Sequence, residues 1–150
     1  MAKAKRKVSH PQALMQRCLP FNQEGRYFDL QAIFDKINAR YFSATPLEDY
    51  TITWGRRRRL APKEYFVFGT IQEEDRIIRI HPRLDAAFVP SWFIEYVIYH
   101  EMLHSVVPDE PGDNGRRKVH TEEFNRRERQ YYFYRRARQW ENDNLARFLR

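Results

Sequence analysis

The sequence predicts an α+β domain: a small, mainly antiparallel three-stranded sheet packed with helices. Three observations predict it. Apolar residues first recur at helical spacing, then switch to period two over three short runs, then return to helical spacing. The short runs are joined by brief polar connections, which favour neighbouring antiparallel strands. One later segment is apolar on nearly every side, as a helix buried in a core must be.

Taken in order, Leu30, Ile33, Phe34, Ile37 and Tyr41 fall on one helix face, with Asp29 as its N-cap. Tyr50, Ile52 and Trp54 alternate with Thr51 and Thr53, the pattern of a half-buried strand. Arg56–Arg59 and Pro62 form a charged connection to a second strand over Tyr65–Ile71. Glu73–Asp75 reads as a turn, and Arg76–His81 as a third strand. The apolar helix runs from Trp92 to Val107 and stops at Pro108, because a residue before proline avoids the α region. Pro108–Gly115 reads as a loop. A last helix is expected from about Val119 to Trp140, broken at Asn142–Asn144 before Leu145–Arg150.

Composition narrows the class. A chain of 150 residues fits one domain. At 42% apolar and 15% aromatic it can build a core, which excludes wholesale disorder. Residues 1–20 read as a basic tail and 21–150 as the folded unit. Lone Cys18 excludes a disulfide framework and a Cys-x2-Cys zinc ribbon, and favours a reducing compartment. No run of 18 apolar residues predicts a membrane span. The basic start (Lys3, Lys5, Arg6, Lys7) lacks the apolar stretch of a secretory signal, so a cytoplasmic protein is expected. A nucleic-acid partner would take it to the nucleoid, or to the nucleus in a eukaryote.

The chemistry lies in His100-Glu101-Met102-Leu103-His104. Histidines at i and i+4 lie about 40° apart around a helix and one turn apart along it, so both can reach one metal ion. Glu101 sits beside them, where a carboxylate can take a proton from a water. With five His and twelve Glu in the chain, this pattern arises by chance in roughly 0.01 sequences of such length. Burying these polar groups without partners in the most apolar helix would cost about 1–3 kcal/mol each. A site with one zinc ion is therefore predicted, and with it zinc-dependent peptide hydrolysis with Glu101 as general base.

A catalytic zinc takes three protein ligands and keeps a fourth position open. His10 lies in the tail and His81 closes a strand, which leaves His120 as the leading third ligand. Glu122, Glu123, Asp109 and Glu110 are the remaining alternatives. The 16-residue spacing from His104 to His120 excludes the metzincin pattern. Glu122, Glu123 and Asp109 are also candidates to orient the ligands. Tyr99, Tyr131, Tyr134 and several arginines are candidate donors to an oxyanion.

These residues, with others, resemble a SprT-like domain. The resemblance rests on Phe34-x-x-Ile37-Asn38-x-x-Tyr41-Phe42, a strand ending in Trp54, Ile78-x-Ile80-x-x-x-Leu84, His100-Glu101-Met102-Leu103-His104 and His120-x-x-x-Phe124. It spans roughly residues 28 to 125. It implies a zincin-like metallopeptidase fold, zinc on His100, His104 and His120, and Glu101 as the catalytic carboxylate. Eukaryotic members of that family, Spartan among them, digest proteins crosslinked to DNA, which implies DNA-associated protein substrates. This chain departs from the family in having Thr121 where many members have Gly, and in lacking their Cys-rich zinc ribbon.

Charge points the same way. The chain carries 27 − 20 = +7. From Arg116 to Arg138 there are nine basic and three acidic residues, with Tyr131–Tyr134 among them. Some of these aromatics must face inward, and the arginines then form a positive face. Arg56, Arg57, Arg58, Arg59, Arg135, Arg136 and Arg138 are the candidate nucleic-acid contacts, with single-stranded DNA preferred because exposed tyrosines stack on bases. Two alternatives compete with a peptidase working near DNA. One is a non-catalytic nucleic-acid-binding domain with a structural zinc. The other is a zinc peptidase with no nucleic-acid role.

Overall fold

The computed structural model describes residues 23–56 and 66–150. The predicted tail and Arg57–Arg59 lie outside the described residues.

Helix α1 spans Leu30–Tyr41. The Asp29 side chain caps it by accepting from the Ala32 amide at 3.1 Å, and Leu30, Phe34 and Ile37 are its buried face. On the same helix, the Asn38 side chain accepts from the Leu47 amide and donates to the Leu47 carbonyl, pinning the return toward the sheet.

Strands β1 (Thr51–Trp54), β2 (Gly69–Gln72) and β3 (Ile77–Ile80) form one sheet in the order β1-β3-β2. β2 and β3 are an antiparallel hairpin, whereas β1 runs parallel to β3, with Thr51 opposite Ile77 and Trp54 opposite Ile80. The sheet is thus mixed, not mainly antiparallel. The reason lies in connection length. Four residues join β2 to β3, which forces a hairpin, but fourteen separate Trp54 from Gly69, enough for the chain to pass over the place beside β1. The second strand also starts later than its aromatic run predicts. Phe66 and Phe68 leave the sheet to pack their rings on Phe148, near the chain's end, at 5.2 Å each.

Helix α2 (Ser91–Val106) crosses the sheet as the central element. Nine of its residues are buried, and it ends as predicted ahead of Pro108. The predicted loop that follows contains a two-stranded ribbon, β4 (Glu110–Pro111) with β5 (Arg117–Lys118). Its tip needs left-handed backbone at Asn114 and Gly115, residue types that tolerate it.

The single long C-terminal helix is instead two, α3 (Glu122–Glu128) and α4 (Tyr134–Phe148). The break falls at residues 129–133, not at Asn142–Asn144. Tyr131 turns into the core there, 3% exposed, and its hydroxyl donates to the Trp92 carbonyl at 2.7 Å. Asn144 is helical, and its side chain donates to the Trp140 carbonyl at 2.8 Å. Among the described residues no helix is long and apolar enough to cross a membrane.

Candidate metal centre

His100 and His104 stand one turn apart on α2. His120 comes from the other side, directly after β5. Its direction is set by the next residue. Thr121 is fully buried and is the N-cap of α3, accepting from the Phe124 amide at 3.1 Å. A glycine there would leave that amide without this acceptor. Phe124 is also fully buried, and its ring lies 4.5–5.0 Å from all three imidazoles. It forms an apolar floor beneath the histidines.

The three Nε2 atoms lie 3.3 Å from one another in every pairing. Nitrogens bound about 2.0–2.1 Å from one ion at tetrahedral angles would be about 3.3–3.4 Å apart. The triangle therefore fits a single metal ion with ligands on one side. His120 is exposed, so the opposite side is open to solvent. Among the described residues the alternative third ligands stay out of this cluster. Asp109 pairs with Arg117 at 3.4 Å on the ribbon, Glu123 pairs with Arg126 at 2.7 Å on the surface, and Glu110 and Glu122 are exposed.

Glu101 is 7% exposed and lies between α2 and the start of edge strand β2. A Cβ on Gly69 would stand 3.0 Å from the Glu101 Cγ and 3.2 Å from its Oε1. Glycine at the head of β2 thus gives the carboxylate its room. Burial pushes the Glu101 carboxyl up to about 7, against the opposing pull of His100. A carboxyl poised there can both take and return a proton near neutral pH.

His100 is held from behind. Its Nδ1 lies 2.7 Å from Glu128 Oε1, and the Tyr96 hydroxyl donates to the same oxygen at 2.6 Å. Burial disfavours charge on His100, yet the bond to Glu128, with the nearby Glu101 and Glu128 charges, carries its pKa upward. Burial alone would raise the Glu128 carboxyl, but its bonds to His100 and Tyr96 bring it down. For His104 burial dominates and lowers the pKa to about 4, with His100 and His120 adding to it; His120 is lowered for the same reasons. Imidazoles kept neutral in this way have lone pairs to give.

Glu128 is the residue that sequence reasoning missed, in place of Glu122, Glu123 and Asp109. A signal was present. Phe124 and Glu128 are four apart on α3, so an inward Phe124 places Glu128 inward as well. Two oxyanion candidates are already occupied: the Tyr99 hydroxyl bonds the Arg127 carbonyl at 2.6 Å, and that of Tyr131 bonds Trp92. Burial pushes the Tyr99 hydroxyl up to about 12.

The candidate nucleic-acid residues are spread out. Arg56 is exposed and borders a cavity of about 680 Å³ lined also by Thr53, Thr70 and Arg79. Arg135 and Arg136 are exposed, and Arg136 sits over the Trp92 ring at 4.8 Å. Arg138 is half-exposed and pairs with Glu141 at 2.8 Å. Tyr132 is 72% exposed, with Arg40 over its ring at 5.8 Å.

Comparison of the chain with protein-family models, curated proteins and solved structures finds no match.

Proposed function

We propose that this chain is a zinc-dependent endopeptidase of SprT-like type, acting on proteins associated with DNA. The observation that carries the reading is the 3.3 Å triangle of Nε2 atoms with a buried carboxylate one residue along the same helix. Three imidazoles and an open side are the donor set of a catalytic zinc site. Zinc held there would acidify a water and polarise a peptide carbonyl.

The chain's own residues do the rest. Glu101 takes a proton from the attacking water as the new C–O bond forms. It returns that proton to the amine nitrogen as the C–N bond breaks. Edge strand β2 begins against Glu101 and can pair with an extended peptide, aligning it by main-chain bonds rather than by sequence. Exposed Arg135, Arg136 and Tyr132, in a chain of net charge +7, support a nucleic-acid surface that brings protein substrates near.

The test incubates the zinc-loaded full chain with a histone-like basic protein, with and without single-stranded DNA, beside Glu101→Gln. Cleavage should fall by about 10²–10⁴-fold in the variant while zinc stays bound. Wild-type cleavage by Glu101→Gln, or none by the zinc-loaded wild type, would overturn the reading. Cleavage indifferent to DNA would keep the peptidase and remove the nucleic-acid role.

A further inference from the structure

We infer that Glu128 is a positioning residue for the metal centre: it fixes the tautomer and ring direction of His100, and Tyr96 holds it in place. The inference rests on the metal-centre reading above and deepens it.

An imidazole can ligate through Nε2 only if its proton sits on Nδ1. The Nδ1 of His100 is 2.7 Å from Glu128 Oε1, a normal distance for a charge-assisted bond. The same ring's Nε2 stands 3.3 Å from both other Nε2 atoms. The ring is therefore specified at both ends. Among the described residues neither His104 nor His120 has a hydrogen bond at Nδ1, so His100 is the anchored member of the three.

Glu128 is itself held. It is 8% exposed, and a buried carboxylate is costly unless its oxygens find donors. Tyr96 stands one turn before His100 on α2, so its hydroxyl reaches the same carboxylate at 2.6 Å. The chain of contacts runs Tyr96, Glu128, His100, and ends at the triangle. Glu128 has one donor in Tyr96, and its same oxygen also bonds His100. The Glu128 bond to Nδ1 of His100, the ring nitrogen opposite the one in the triangle, is what assigns the role.

The test measures zinc affinity of the full chain by competition with a chromophoric chelator. It adds the visible spectrum of the cobalt(II)-substituted protein, which reads ligand geometry without turnover. Zinc should bind about 10- to 100-fold more weakly in Glu128→Ala, less so in Glu128→Gln, and with a small shift in the same direction in Tyr96→Phe. The cobalt bands of Glu128→Gln should change in position and intensity. Glu123→Gln, on the surface of the same helix, should match wild type. If Glu128→Ala fails to fold, Glu128→Gln and Tyr96→Phe still decide the matter. Wild-type affinity and an unchanged cobalt spectrum in Glu128→Gln would overturn this inference while leaving the metal centre standing. A wild-type chain that takes up no zinc would overturn the metal-centre reading and this inference with it.

Discussion

The histidine triangle is assembled from two halves that are held in different ways. His100 and His104 ride on α2, whose neighbouring side chains are almost all in the core. His120 rides on an exposed segment that leaves a two-stranded ribbon. The first half is immobilised by apolar packing and by the Glu128 bond to His100. The second is directed by one cap, Thr121, and by one ring, Phe124. A site can thus be half embedded in the core and half delivered to it. Phe124 joins the halves, because it touches the histidines of both.

Phe124→Ala should have the largest effect on stability. Emptying the floor beneath three rings should cost about 3–5 kcal/mol in urea unfolding of the metal-free chain. Zinc affinity should fall with it. If affinity were retained, the two halves would be positioned independently and the joining role of Phe124 would be wrong.

Single-ligand variants sharpen the contrast. His100→Ala removes a donor from Glu128 and leaves a buried carboxylate short of a partner, at about 1–3 kcal/mol in the metal-free chain. His120→Ala removes an exposed ring and should stay within about 0.5 kcal/mol of wild type. Both should abolish tight zinc binding. Equal losses of stability in the two would break the comparison.

The smallest effect concerns a histidine outside the triangle. His81 is lowered to about 4, chiefly by burial and then by Arg83. In the unfolded chain it titrates near 6.5. Between those values the unfolded state binds a proton that the folded state does not, so stability falls as pH falls from about 6.5 to about 4. His81→Asn can keep an acceptor for the Arg83 amide and removes the titration. The metal-free variant should lose less stability than wild type between neutral and acid pH. An unchanged acid loss would show that the site histidines alone set it.

Much of the α2 half was legible in the sequence. Asp29, the apolar run of α2 and the stop at Pro108 are local signals, and the structure follows them. Two of the misread elements depended on distant partners. The order β1-β3-β2 rests on the parallel pairing of β1 with β3, with Thr51 opposite Ile77. The split between α3 and α4 arose because Tyr131 finds a carbonyl on α2, 39 residues earlier. Propensity within residues 119–140 says nothing of that carbonyl.

By itself, then, the sequence determined that His100 and His104 share a helix face with Glu101 beside them, because 3.6 residues per turn fixes that relation wherever the helix lies. It also determined that this helix is buried, because no polar face was left to solvent. Only the tertiary structure decided that His120, and not a nearby carboxylate, completes the triangle. It alone brought Glu128 behind His100 and Gly69 against Glu101. Those pairs are 28 and 32 residues apart, and what joins them is the packing of α3 and the sheet against α2. Periodicity can say which way a side chain faces, but only packing says what it meets.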